Sequence, residues 1–267
     1  MTGAPHDYAI HGPWTDPGPH AEALDALPAG TGPLVETVQG LLIHDAGLHL
    51  YGLTAADFAE ASRATRPVSE RLAEARAGGS LTSPRAPRDR AFGTCRDYAL
   101  LLTAFLRHRG VPARVRCGFA SYFRAEGHAD HWICEYRTAG DRWARADAQL
   151  DGPHRRELGI GFDILDMPDG AFLTAGEAWR QVRAGAADPA AFGHGDACGE
   201  WFMQVNLARD LLALGKQEVS DWDFWRAVPA ARRELDAAAR AWCDEIADRA
   251  ARVDTARAAS ILKPYWL

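Results

Sequence analysis

The chain has 267 residues, 30 Lys and Arg against 36 Asp and Glu, a formal net charge of −6, and 47% hydrophobic residues. That mild acidity argues against a nucleic-acid binder, which carries a basic face. No apolar run approaches the ~18 residues of a membrane span, so no membrane partner is expected. Five scattered cysteines without a CxxC pair fit reduced thiols better than a disulfide framework or a thiolate zinc site. With no signal-peptide pattern at the N-terminus, they point to a cytoplasmic protein without metal or cofactor.

Residues 1–16 are rich in Gly, Pro and Asp and read as an extended arm with a turn at Asp16-Pro17-Gly18. Short helices are expected over 19–27 and 33–45, the second with a Leu34, Val38, Leu41 and Leu42 stripe, Pro33 in its first turn and Gly47 beyond its end. Thr54-Ala55-Ala56-Asp57 is a capping-box pattern that opens a helix towards Arg63. A fourth helix runs from Pro67 to Arg76 and closes at Gly78-Gly79. Residues 80–90 form a loop, with Arg85, Arg88, Arg90 and, beyond the turn, Arg96 read as solvated charges, an anion site being the alternative.

The segment 93–118 organises the rest. Thr94 is a good N-cap with Asp97 three residues on, so Cys95 falls at the first helical position. Tyr98, Leu101, Leu102, Phe105 and Leu106 recur at helical spacing, and Leu100 and Ala104 widen that face, as in a buried helix. Gly110 and Pro112 stop it, and Val115, Cys117 and Phe119 alternate as a strand. Partial positive charge and unpaired N–H groups at a helix start favour thiolate over thiol and can face an oxyanion. The alternative is a small buried apolar cysteine.

His131 to Tyr136 and Arg142 to Asp147 alternate around the polar loop Arg137-Thr138-Ala139-Gly140-Asp141, which is a hairpin signal. Pairing Tyr136 with Arg142 sets His131 opposite Asp147, with Cβ atoms about 5 Å apart. A carboxylate there can fix the imidazole tautomer and leave the other nitrogen to take a thiol proton. His128 and His131 sit in a loop-to-strand passage, and no metal site is expected from them.

The order Cys, His, Asp resembles the transglutaminase-like superfamily. The matching words are Gly93-Thr94-Cys95-Arg96-Asp97-Tyr98, Gly110-Val111-Pro112-Ala113-Arg114-Val115, His131-Trp132 and Ala146-Asp147. The resemblance implies an α+β, papain-like core in which the cysteine helix packs on an antiparallel sheet, with His and Asp on adjacent strands. It implies Cys95 as nucleophile, His131 as general base and acid, and Asp147 as orienting carboxylate, in a bacterial transglutaminase-domain protein. Between His131 and the preceding strand, Tyr122 and Phe123 are candidates to line an acyl-donor groove, with simple packing as the alternative. Gln149 shares a face with Asp147 if the strand continues, and is a candidate oxyanion donor.

Further on, residues 162–168 read as irregular, 173–184 as a helix with Trp179, and 188–199 as a Gly-rich loop with His194. Trp201, Phe202, Val205, Ala208, Leu211 and Leu212 mark a helix, Ser220-Asp221-Trp222-Asp223 is a capping box, and residues 232–251 form a long charged surface helix. Trp201, Phe202, Trp222 and Trp225 either wall the cleft or belong to the core.

The resulting expectation is a single domain over 1–267, with its core at about 80–150, N-terminal helices at 19–77 and a C-terminal helical extension at 171–267. Its activity is acyl transfer from an amide or thioester on a small molecule, peptide or protein, to an amine, through an acyl-enzyme on Cys95. Hydrolysis by the same residues, with water as acceptor, and a non-catalytic binding role are the alternatives.

Overall fold

The computed structural model describes residues 7–62, 64, 66–219, 228, 233–258 and 260–261. Contacts group them into two compact units, one of residues 7–115 and 133–167, the other of residues 116–132 and the described residues from Pro168 onwards.

In the first unit, α1 (Ala21–Asp25) and α2 (Thr31–Leu41) precede β1 (Leu42–His44). The helix expected to continue to residue 45 ends at Leu41, where the backbone becomes extended so that β1 can pair in parallel with β2 (Ala91–Gly93). Tertiary pairing outweighs helical periodicity there. The box at Thr54 and Asp57 forms, but it caps only a short 3-10 turn over Ala55–Phe58. α3 (Val68–Ala77) begins after Pro67 and ends at Gly78, as expected. Residues 7–16 are no free arm: Tyr8 is buried, and its carbonyl accepts from Ala113 N at 3.0 Å and Arg107 Nε at 3.2 Å.

α4 (Cys95–His108) is buried along nearly its whole length and packs against α2 and α3. It ends in a Schellman motif, with Gly110 at φ +73° and the N–H groups of Gly110 and Val111 donating to Arg107 O and Leu106 O at 2.9 Å each. The chain then enters β3 (Ala113–Ala120), and β4 (His128–Arg137) returns to pair antiparallel with β5 (Trp143–Ala146). Thr103 Oγ1 donates to Cys134 Sγ at 3.2 Å and ties α4 to β4. α5 (Gly152–Glu157) completes this unit; its N-cap Asp151 and N1/N2 proline are a helix-start signature absent from the expected elements.

In the second unit, residues of β3 and β4 join β6 (Phe172–Thr174), β7 (Phe192–His194) and β8 (Ala197–Cys198) in the order β6-β3-β4-β7-β8. The sheet is mixed rather than wholly antiparallel, because β7 runs parallel to β4 through His128↔Phe192 and Ala129↔Gly193. α6 (Ala175–Arg183), α7 (Glu200–Leu214) and α8 (Ala237–Ala251) pack on one another. α8 is not a surface helix throughout: Trp242, Cys243, Ile246, Ala247 and Ala250 are buried in the same cluster as Trp179, Trp201 and Phe202. Trp201 and Phe202 are thus core residues. The expectations at 220–223 and for Trp222 and Trp225 fall outside the described residues.

Among the described residues no helix is long and apolar enough to cross a membrane. No disulfide joins the cysteines.

Candidate active site

Cys95 is the first residue of α4, and its side chain is buried. Local chemistry fixes this start. Asp97 Oδ2 accepts from Thr94 N at 2.8 Å and Thr94 Oγ1 at 3.2 Å, closing a capping box around the thiol-bearing residue. Buried Arg71 donates to the same Oδ2 at 2.9 Å, to Glu74 at 3.0 Å and to Phe92 O at 2.8 Å. Burial alone would lower the Arg71 pKa, but Asp97 and Glu74 outweigh it and keep the guanidinium charged. Arg96 donates to Arg66 O at 2.6 Å and lies over the Trp14 ring. The helix start is therefore held from four directions: by Thr94, by α3, by β2 and by the chain at residue 66.

The hairpin forms with a register two residues from the expected one. Tyr136 faces Ala144 and Arg137 faces Trp143, rather than Tyr136 facing Arg142. Continued along the strand, that register brings Ile133, not His131, opposite Asp147. A shift of two preserves the face, because side chains alternate with a period of two. Asp141, in the left-handed region at φ +56°, belongs to the loop that sets this register.

β5 ends at Ala146, and Asp147 leaves the ladder. Its N–H donates to Ile164 O at 2.9 Å, and its Oδ1 accepts the Gln149 N–H at 2.9 Å. Residues 147–149 thus form an Asx-type turn, so the expectation that Gln149 shares a strand face with Asp147 fails. The two residues are brought together instead by a carboxylate-to-backbone hydrogen bond. Both side chains are buried, and Gln149 Oε1 has no hydrogen-bond partner among the described residues.

His131 lies on the part of β4 that belongs to the second unit, 2% exposed. Tyr122 and Phe123, on the loop before β4, both meet its ring edge-on, with centroids at 5.9 and 4.8 Å. The preceding residue, Asp130, accepts from Asn206 Nδ2 at 2.8 Å, and Asn206 also donates to Gly118 O at 3.2 Å. Arg116 pairs with buried Asp210 through two hydrogen bonds of 2.9 and 2.7 Å. These contacts tie α7 to the strands around His131. His128 stacks on Phe192 at 4.8 Å, and burial holds its pKa down, so it is a packing residue. Among the described residues no group of three or more His, Cys, Asp or Glu is arranged to hold a metal.

The arginines expected to be solvated are only partly so, and Arg96 is buried. Arg85 turns back on α3 and donates to Ala75 O and Ser80 O at 2.9 Å each. Arg90 lies over the Tyr51 ring at 5.3 Å. Among the other thiols, burial pushes Cys134 up to about 12 and Cys243 well above its ordinary value. Both are neutral, inert thiols in the ordinary pH range.

Sequence reasoning missed a polar group beside the Asp147 turn. Tyr51 donates a short hydrogen bond to Asp151 Oδ2, and His154 Nδ1 lies 2.8 Å from Asp151 Oδ1. The legible signal was Asp151-Gly152-Pro153, an N-cap followed by a first-turn proline.

Residues 61–148 match the family model for the transglutaminase-like superfamily, a segment that contains Cys95, His131 and Asp147. The chain has the α+β fold of that superfamily over this core, and the match supports a cysteine-based enzyme in general terms. A solved structure from Cytophaga hutchinsonii, described as a candidate cysteine protease, is similar at 15% identity and a TM-score of 0.38. The likeness covers 56% of this chain and 43% of that one, so the chain spans under half of that structure's length. No curated protein matches the chain.

Proposed function

We propose that the protein is a cysteine acyltransferase that works through a thioester on Cys95. The observation that carries this reading is the thiol at the first residue of a buried, box-capped helix. There the helix N-terminus favours the thiolate.

In the proposed cycle, His131 removes the Cys95 proton while Asp147 accepts a hydrogen bond from the other ring nitrogen and holds the tautomer. The sulfur attacks the amide or thioester carbonyl, and the first-turn N–H groups face the developing oxyanion. The buried amide of Gln149 is the candidate additional donor. His131 then protonates the leaving amine or thiolate, and the acyl group remains on sulfur. An amine, deprotonated by His131, attacks the thioester and expels the thiol. Tyr122 and Phe123, against the His131 ring, are assigned to the acyl-donor groove. Water in place of the amine gives hydrolysis with the same residues.

The test is intact-protein mass spectrometry after mixing with small acyl thioesters and glutamine-type amides. An acyl mass increment on wild type that is absent from Cys95→Ala is expected, with discharge accelerated by added primary amine. Discharge at a rate indifferent to amine identifies the hydrolase instead, and no adduct with any donor leaves a binding role.

A further inference from the structure

Five residues, 147–151, link β5 to α5 with no ladder or helix to fix them. Their position is set by a chain of hydrogen bonds. Asp147 Oδ1 accepts from Gln149 N, and Gln149 O accepts from Asp151 N at 2.9 Å. Asp151 is gripped at both oxygens: Oδ1 accepts from His154 N at 3.2 Å and lies 2.8 Å from His154 Nδ1, while Oδ2 accepts from Tyr51. Arg90 Nη1 stands 3.8 Å from Oδ2. An ionised carboxylate only accepts, so His154 carries its proton on Nδ1. Its Nε2 is buried, without a hydrogen-bond partner among the described residues, and faces Gly47. A β-carbon on Gly47 would lie 2.5 Å from that nitrogen.

Gly47 and Tyr51 belong to one 3-10 turn, Asp45–Tyr51. That turn and the first turn of α5 thus close on Asp151 from two sides. Tyr98, three residues beyond Cys95 on α4, is fully buried beside this group. Burial above all, then Tyr51 and Asp151 among its neighbours, holds its hydroxyl well above the ordinary tyrosine range.

We propose that Tyr51, Asp151 and His154 are positioning residues, a hydrogen-bonded brace that holds the Asp147–Gln149 turn and so sets the Asp147 carboxylate. This rests on the reading of Asp147 as the orienting carboxylate of a Cys95 thiolate–imidazolium pair. A brace that only stabilised α5 would leave the thiol's ionisation unmoved.

The experiment measures the pH dependence of iodoacetamide labelling at Cys95, with peptide-level assignment and melting temperature. It compares wild type, Asp147→Asn, Tyr51→Phe and Asp151→Asn. Asp147→Asn is expected to raise the labelling midpoint, and Tyr51→Phe and Asp151→Asn to move it towards the same value. At a pH below both midpoints, each unit of rise is a roughly tenfold slower labelling. Midpoints equal to wild type in both brace variants, with Asp147→Asn shifted, overturn the brace and leave the carboxylate assignment standing. An unshifted Asp147→Asn overturns both. Should Asp151→Asn fail to fold, Tyr51→Phe, which removes a single oxygen, decides alone.

Discussion

Replacing Asp97 by Ala tests whether the start of α4 is held by electrostatics or by packing alone. The carboxylate closes the capping box on Thr94, with 2.8 and 3.2 Å contacts, and faces Arg71 at 2.9 Å and Arg96 at 3.2 Å. Losing a helix cap costs about 1 kcal/mol. Removing one partner of a buried ion pair costs about 3–5 kcal/mol, because the other charge stays behind. Arg71 keeps Glu74 and Phe92 O, which brings the pair's share to the lower end of that range. The total is therefore about 4 kcal/mol, from about 1 for the cap and about 3 for the pair. Thr94→Ala, which touches the box but not the Arg71 pair, serves as the reference at about 1 kcal/mol. Urea unfolding with equal slopes in all three proteins gives the comparison. The same samples, labelled with iodoacetamide in the native baseline, should show slower alkylation of Cys95 in Asp97→Ala. An Asp97→Ala cost within about 0.5 kcal/mol of Thr94→Ala would refute the reasoning, since Arg71 would then have no need of its partner.

Iodoacetamide at pH 8 should modify Cys95 well before Cys134 or Cys243, because burial raises both of those thiols; peptide mapping that found Cys134 labelled first would contradict this. Gly47→Ala should lower stability by about 1–3 kcal/mol, as its β-carbon meets the His154 ring, whereas Gly40→Ala in α2, with open space around it, should be neutral or stabilising by up to about 1 kcal/mol. Thermal melts of the two variants check the contrast. The pH dependence follows from Asp151: burial opposes its charge, but hydrogen bonds from His154 and Tyr51 outweigh it and depress the folded pKa. The unfolded carboxyl therefore binds protons more readily than the folded one, and this stabilisation is present above about pH 4 and lost as pH falls through the folded pKa. Tyr51→Phe should accordingly be destabilised relative to wild type at pH 6, with a gap that narrows below about pH 4; a constant gap measured by urea unfolding across that range would argue against the linkage.

Some of the site could be read in the residues, because it is built from short-range chemistry. Thr94 and Asp97 are three apart, as a capping box needs, so Cys95 could be assigned to the first helical residue and is found there. Gly110 could be read as a C′ residue for the same reason, since an αL turn favours glycine. The hairpin was legible as two alternating runs, but its register was not, because the loop conformation at Asp141 decides it. The reading of Gln149 as strand failed because Asp147 leaves β5 for Ile164, a partner distant along the chain. α2 stops at Leu41 because residues near 91 offer it a strand partner.

Local sequence alone therefore determined that Cys95 opens its helix, that a hairpin follows further along the chain, and the class of chemistry a thiol, an imidazole and a carboxylate in that order suggest. Caps, turns and alternation act over three or four residues and carry their own signals. Only the tertiary structure decided how the Asp147 turn is held, since Tyr51, Asp151 and His154 come from segments about a hundred residues apart. Their pairing arises when burial removes water and leaves each polar group with the other as its partner.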